Sequence, residues 1–152
     1  MQEMKASVSG RIARPLAEVW EMVADPVRLG TWFVTGGASA RLDAAGTVTW
    51  AFADFPGPFD VEVVEVEPLR RIVLRWDAND PGAAAAYRTT VTFAFEALDD
   101  GRTLVSVTED GFAATPSGHE AAAGNTGGWM FFVTALKAWA EHGVVLRTGM
   151  FA

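Results

Sequence analysis

The sequence predicts an α+β fold: an antiparallel sheet of seven strands, two short helices after the first strand, and a long C-terminal helix. Three observations lead to this prediction. Most segments between residues 4 and 110 alternate apolar and polar residues with period two, which is typical of strands. Short turns separate successive segments, so neighbouring strands should run antiparallel. The last segment instead repeats its apolar residues with the period of a helix.

The N-terminal part predicts one strand and two short helices. Residues 4–12 alternate with period two. Pro15 then opens an amphipathic helix over 15–24, because its fixed φ and missing N–H suit the first helical position. A second brief helix over 26–30 completes this part of the chain.

Six further strands follow from the same alternation. They cover 38–42, 47–53, 59–67, 71–76, 87–98 and 103–110. The alternation slips at Val63-Val64, which predicts a β-bulge. Pro68 predicts a type I turn before the fifth strand, and Asp99-Asp100-Gly101 predicts a hairpin. Because one antiparallel sheet has one face to cover and one long helix is available, the sheet should curl around that helix.

The last element predicts a long helix over 117–142. Five residues form its apolar face: Trp129, Phe132, Val133, Leu136 and Ala140. Three glycines at 124, 127 and 128 each cost about 1 kcal/mol relative to alanine inside a helix. They predict a kink, a late start of the helix, or a close approach to another element.

Composition excludes several kinds of site. The chain has no cysteine, so disulfides and thiolate chemistry are absent. Its two histidines, His119 and His142, would lie about 34 Å apart on a continuous helix, so they cannot share a metal. A net charge of -7 without basic clusters argues against nucleic-acid binding. We therefore expect no metal, no cofactor and no nucleic-acid partner.

The chain also lacks the features of a membrane protein. The N-terminal residues MQEMKASVSGRIARP contain no apolar signal-peptide core. The most apolar stretch, 129–146, is interrupted by Lys137, Glu141 and His142, and is too polar to span a bilayer. We expect a cytoplasmic protein without a membrane span, organised as a single domain over residues 1–152.

A strongly curved sheet and one helix leave a space between them, and inward aromatic residues point at that space. Concave apolar pockets with a few polar groups are the usual small-molecule sites, although inward aromatic residues are also typical of a closed core. The predicted ligand-binding residues are Trp32, Trp50, Phe52, Trp76, Phe93, Glu109, Trp129, Phe132, Val133 and Leu136.

Glu109 is the candidate catalytic residue. Strand alternation places it on the inward face, where a carboxylate could act as a general base or, with an indole N–H, hold a polar group of a ligand. Near a strand end it could also be simply solvated. Glu65 and Glu67 share a face and could form a paired-carboxylate site, but cross-strand ion pairs with Arg71 and Arg75 are the more ordinary outcome.

Several motifs resemble the START-like, or SRPBCC, superfamily, in the branch named after the activator of the ninety-kilodalton heat-shock-protein ATPase. They are Ala17-Glu18-Val19-Trp20, Asp25-Pro26, Trp32-Phe33, Val63-x-Glu65-x-x-Pro68-x-Arg70-x-Ile72 with Trp76, Thr90-Val91-Thr92-Phe93, Gly101-Arg102-Thr103, Gly111-Phe112 and Gly128-Trp129 with Val133 and Leu136. The resemblance implies the helix-grip fold. Leu69 departs from the proline pair of the family, and the aromatic loop 54–59 is unusual.

Three functions are compatible with this resemblance, since superfamily members bind lipids, hormones or polyketides, cyclise polyketides, or assist a chaperone. The first is binding of a small hydrophobic ligand in the cavity. The second is an enzyme, similar to a polyketide cyclase, dehydratase or hydrolase, that uses Glu109. The third is protein interaction, co-chaperone-like or as a homodimer, through exposed Phe55, Phe59 and Phe151. The scarcity of interior acid–base groups favours binding over catalysis.

Overall fold

The computed structural model describes residues 4–151 and has the expected α+β architecture. The strands are β1 Ala6–Ile12, β2 Gly37–Ala38, β3 Gly46–Ala51, β4 Phe59–Glu67, β5 Arg71–Asp77, β6 Arg88–Ala97 and β7 Thr103–Asp110. The helices are α1 Leu16–Ala24, α2 Pro26–Trp32 and α3 Pro116–His142. Among residues 4–151, none of the helices is long and apolar enough to cross a membrane.

The strands form one antiparallel sheet in the order β1-β7-β6-β5-β4-β3-β2. Strands β2 to β7 follow one another as a meander, and β1 joins the far side, with Ala6 opposite Glu109 and Ile12 opposite Thr103. Helix α3 packs against this sheet, which gives the helix-grip arrangement.

The strand β4 contains the bulge that the sequence predicts. Its register against β5 shifts between Val63 and Glu65, and Val64 is exposed. Beyond the bulge, Arg71 pairs with both Glu65 and Glu67 on the solvent side, so these two acids belong to an outer ion-pair face.

The turn between β4 and β5 differs from the prediction. Arg70 N–H donates to the carbonyl of Glu67 over 2.9 Å, and Leu69, at the third position, has φ +64°. A type I turn needs negative φ at both central residues, whereas a type II turn needs positive φ at the third. The predicted type I turn is therefore wrong, and a leucine occupies a position that glycine usually takes.

The predicted strand over 38–42 is reduced to Gly37–Ala38. The remainder leaves the sheet because Leu42 is fully buried and its N–H donates to the carbonyl of Ala24, at the end of α1. Helix α2 extends past residue 30 to Trp32, whose indole Nε1 donates to the Met22 carbonyl over 2.9 Å.

Helix α3 is continuous from Pro116 to His142. Thr115 caps its start by accepting from the N–H of Gly118, and Gly143 ends it in the left-handed conformation. A late start is therefore wrong. A Cβ atom at any of the three helix glycines would meet nothing within 4 Å, so the expected close approach is also wrong: Gly124, Gly127 and Gly128.

The space between sheet and helix is largely filled by aromatic side chains. Trp32 and Phe93 pack on Phe132 with ring centroids 4.9 and 5.2 Å apart, and all three are fully buried. Trp20 contacts Phe95 at 5.0 Å on the other side of the core. The inward aromatic residues thus build a closed core in the middle of the grip.

Candidate functional site

Glu109 lies at the centre of a hydrogen-bond network that joins β5, β6, β7 and α3. Its side chain is fully buried. One carboxylate oxygen, Oε2, accepts from Trp76 Nε1 at 2.9 Å and from the Thr89 hydroxyl at 2.5 Å. The other, Oε1, accepts from Trp129 Nε1 and Asn125 Nδ2, both at 2.8 Å. These four hydrogen bonds satisfy the requirement that a buried polar group be hydrogen-bonded.

This network alters the chemistry that the sequence suggested for Glu109. Both of its oxygens are occupied by donors of the chain itself, and a general base must reach the proton that it removes. The indole N–H groups of Trp76 and Trp129 are occupied in return. The polar contacts expected to hold a ligand are therefore made within the protein, and Glu109 acts as a positioning residue for two tryptophans.

An open cleft lies beside this network, between the β3–β4 loop, α3 and the C-terminal segment 143–151. Its volume is about 320 Å³. The residues that line it are Phe33, Phe52, Asp54, Phe55, Trp76, Asn125, Gly128, Trp129, Phe131, Arg147 and Phe151. An outer lobe of about 370 Å³ shares part of this lining and extends past Phe59, Asp60 and Asp77. We call these two spaces the cleft and the outer lobe.

Three of the ten predicted ligand-binding residues line the cleft: Phe52, Trp76 and Trp129. The other seven are each at most 2% exposed and belong to the core: Trp32, Trp50, Phe93, Glu109, Phe132, Val133 and Leu136. The apolar stripe of α3 packs onto the sheet, so the open space lies along the neighbouring face of the helix, with Asn125, Gly128 and Phe131.

Trp76 and Trp129 form the rigid wall of the cleft. Their rings are stacked with centroids 5.4 Å apart and an angle of 25° between the planes. Glu109 holds both indole N–H groups, one on each carboxylate oxygen. Because each ring is fixed by a hydrogen bond at its edge, the stacked pair presents a preorganised apolar surface.

The C-terminal segment covers one side of the cleft through Arg147. The guanidinium carbon lies 4.1 Å from the ring centroid of Phe52, 4.8 Å from that of Phe151 and 5.2 Å from that of Phe33. The same guanidinium donates to both carboxylate oxygens of Asp54, at 3.1 and 3.0 Å. The two side chains are 11% and 12% exposed, so this is a largely buried ion pair inside an aromatic cage.

Sequence reasoning missed this half of the site. Asp54 and Arg147 are 93 residues apart and neither belongs to a helix or strand. The signals that point to them are the unusual aromatic loop 54–59 and a lone arginine close to Phe151. Neither signal predicts that the loop 54–59 contacts the C-terminal segment that contains Arg147.

The predicted hydrophobic surface patch is only partly present. Phe55 and Phe151 are 62% and 54% exposed, as expected, and both border the cleft. Phe59 is not exposed as predicted, because its ring packs on Phe52 and Trp76 with centroids 5.6 and 5.9 Å apart.

The hydroxyl of Tyr87 has a structural role. The hydroxyl of Tyr87 donates to Asp80 at 2.7 Å and accepts from the N–H of Ala113 at 3.1 Å, while burial raises the pKa of Tyr87.

Within residues 4–151, no three histidine, aspartate or glutamate side chains are grouped so that they could hold a metal ion.

A curved sheet gripping a C-terminal helix, with an aromatic cleft at its open side, defines a helix-grip domain of the SRPBCC superfamily. The model of the family described as "Activator of Hsp90 ATPase homolog 1-like protein" matches residues 13–141. The chain therefore belongs to this family.

Solved structures agree with this assignment. The protein SSP2350 from Staphylococcus saprophyticus is 26% identical, with a TM-score of 0.76, and the match covers 95% of this chain and 96% of that one. DynU16, a putative protein in the dynemicin biosynthetic locus, is also 26% identical with a TM-score of 0.76, over 93% of this chain and 49% of its own. The Aha1 dimer from Colwellia psychrerythraea shares the fold at 19% identity and a TM-score of 0.71, over 92% and 98%. Among curated proteins, none matches this chain closely enough to count as a relative.

Proposed function

We propose that the protein binds a small hydrophobic or aromatic molecule in the cleft between α3, the β3–β4 loop and the C-terminal segment. The observation that carries this proposal is a cleft of about 320 Å³ with predominantly aromatic walls. Small-molecule sites have volumes of about 300–1,000 Å³ and combine apolar walls with a few polar groups. Asn125, Asp54 and Arg147 are the polar groups here.

The network around Glu109 supports this proposal. A buried carboxylate costs free energy unless every lone pair is used, and here it fixes the two indole rings that form the wall of the cleft. A plain core could place two tryptophans without a buried charge. Preorganised walls increase affinity because less conformational entropy is lost on binding.

The comparison with DynU16 also favours a small-molecule role. That protein is described as a putative member of the dynemicin biosynthetic locus, and its likeness covers most of this chain. A biosynthetic role for this chain is part of the proposal.

An enzymatic role through Glu109 is less well supported, because both carboxylate oxygens accept hydrogen bonds from the chain. Protein interaction, including a homodimer, stays a prediction that rests on the exposed rings of Phe55 and Phe151. No contact described above favours it over ligand binding.

Two adjacent glycines of α3 provide a test of the proposal. Gly128 lines the cleft, whereas its neighbour Gly127 does not, and a Cβ atom at either position meets nothing within 4 Å. Gly128→Leu should therefore fill the cleft without disturbing the helix. Gly127→Leu adds the same side chain outside the cleft and is the matched control.

A panel of flavonoids, polyketides and fatty acids is titrated against the native protein and both variants, with tryptophan fluorescence and melting temperature as readouts. We expect a binder to stabilise the native protein by up to about 2.7 kcal/mol at a hundred times its dissociation constant. Gly128→Leu should weaken this ligand at least tenfold, and Gly127→Leu should leave its affinity unchanged. Equal binding to both variants, or no response to any compound, would overturn the proposal.

A further inference from the structure

We infer that the ligand of the cleft carries a protonated amine on its apolar body, so that the site selects organic cations over organic acids. This inference rests on the proposed function, since it assigns a chemical class to the ligand of the same cleft. Hydrogen bonding, aromatic contacts and charge each support it.

Each of the four donor side chains that line the cleft already donates at least one hydrogen bond to a carboxylate of the chain. The indole N–H groups of Trp76 and Trp129 and the amide of Asn125 donate to Glu109. The guanidinium of Arg147 donates to Asp54 through two of its nitrogens. An organic acid entering the cleft would therefore meet no free indole N–H, and the positive charge of Arg147 is already paired with Asp54.

The amide oxygen of Asn125, in contrast, is available to accept a hydrogen bond from a ligand. Asn125 donates through its amide nitrogen to Glu109 Oε1 at 2.8 Å, which leaves the amide oxygen for the cleft. Among residues 4–151, no donor is hydrogen-bonded to that oxygen, since the one hydrogen bond of the amide is made by its nitrogen. A ligand N–H group placed against Asn125 would therefore find an acceptor in fixed orientation.

The aromatic walls already hold one cation of the chain. Arg147 lies over the rings of Phe33, Phe52 and Phe151 at 4.1 to 5.2 Å. This contact shows that aromatic rings of the cleft accommodate a positive charge, although these particular faces are covered by Arg147. The rings of Trp76 and Phe55 line the adjoining part of the same space.

The charged residues around the cleft and the outer lobe also favour a cationic ligand. Asp54 and Arg147 cancel one another as a bidentate pair. The remaining charged lining residues, Asp60 and Asp77, are both acidic and both lie in the outer lobe. The Asp77 carboxylate is 89% exposed and 3.7 Å from the Arg88 guanidinium, so it contributes a screened field at the entrance. The net charge of the chain is also negative, at -7.

Three matched probes test the inference: 2-(aminomethyl)naphthalene as the cation, 2-naphthalenemethanol as the neutral compound and 2-naphthoic acid as the anion. Their dissociation constants for the native protein are measured by isothermal titration calorimetry at neutral pH and low salt. We expect the amine to bind at least tenfold more tightly than the acid, with the alcohol between them.

The variant Asp60→Asn/Asp77→Asn removes the acidic entrance. The ratio of the dissociation constant of the acid to that of the amine should fall by about two- to fivefold, which is the size of effect expected for exposed charges. Asp99→Asn/Glu96→Gln removes two charges from the opposite end of β6 and should leave the preference unchanged. Tighter or equal binding of the acid would refute the inference and leave the proposed function intact. Failure of all three probes to bind would count against both.

Discussion

Replacing Glu109 with glutamine tests whether the buried carboxylate holds the fold together. The change keeps the shape of the side chain but turns one acceptor oxygen into an NH₂ group. If the glutamine NH₂ group takes the Oε2 position, the hydroxyl of Thr89 can rotate and accept a hydrogen bond from it. The indole N–H of Trp76 can only donate, so it loses its acceptor. Near the Oε1 position, Asn125 can turn its oxygen inward, but the indole of Trp129 cannot.

Either orientation of the glutamine therefore leaves one indole N–H without an acceptor. An unsatisfied buried donor costs about 1–3 kcal/mol, and hydrogen bonds to a neutral amide are weaker than those to a carboxylate. Trp129 is 3% exposed, whereas Trp76 is only partly buried, so the glutamine nitrogen should face Trp76. We expect Glu109→Gln to lower the free energy of unfolding by about 2–4 kcal/mol.

Urea denaturation followed by tryptophan fluorescence measures this loss, with an unchanged m-value as evidence that the unfolding reaction is the same. Glu96→Gln on the exposed side of β6 removes the same charge and should change stability by less than about 0.5 kcal/mol. If Glu109→Gln is as stable as Glu96→Gln, the four-donor network does not stabilise the fold and the reasoning is wrong.

Three further perturbations test other parts of the structure. Gly127→Ala should raise the free energy of unfolding by about 0.5–1 kcal/mol, because its Cβ enters open space; a decrease in urea denaturation would contradict this. Asp54→Asn should speed hydrogen exchange of the amides near Arg147, since the C-terminal segment loses its ion pair; unchanged exchange would show that the aromatic contacts suffice. Hydrogen bonds from Arg41 lower the pKa of Asp43, so this carboxylate stabilises the fold above the unfolded pKa, and the contribution is lost as pH falls through the folded value. Asp43→Asn should therefore cost about 1–2 kcal/mol at neutral pH and progressively less as the pH falls below the unfolded pKa, and a pH-independent loss would refute the linkage.

The sequence predicted the architecture well because strands and helices leave a local signal. The alternation in 59–67 and 103–110 predicts the bounds of β4 and β7, and the slip at Val63-Val64 predicts the bulge. Where the prediction from local alternation fails, the cause is a tertiary contact. Residues 39–42 leave the sheet because Leu42 bonds to the end of α1, a tertiary contact that alternation does not encode.

The candidate site was harder to predict for a physical reason. Periodicity says which face of an element is inward, and it placed Glu109, Trp76 and Trp129 on inward faces. It does not say how far the sheet curls, and that decides whether an inward residue is sealed or borders a cleft. The pairing of Asp54 with Arg147 depends on two irregular segments meeting, for which the sequence carries no periodic signal.

The place of β1 in the sheet has a consequence for folding. The meander from β2 to β7 forms between neighbours in the chain, but β1 must close a loop of about one hundred residues to pair Ala6 with Glu109. Loop-closure entropy makes such long-range pairing slow. On the ribosome, β1 is synthesised before the other six strands and β7 after them, so β1 has no strand to pair with until β7 emerges. The strand made earliest is thus the one that completes the sheet.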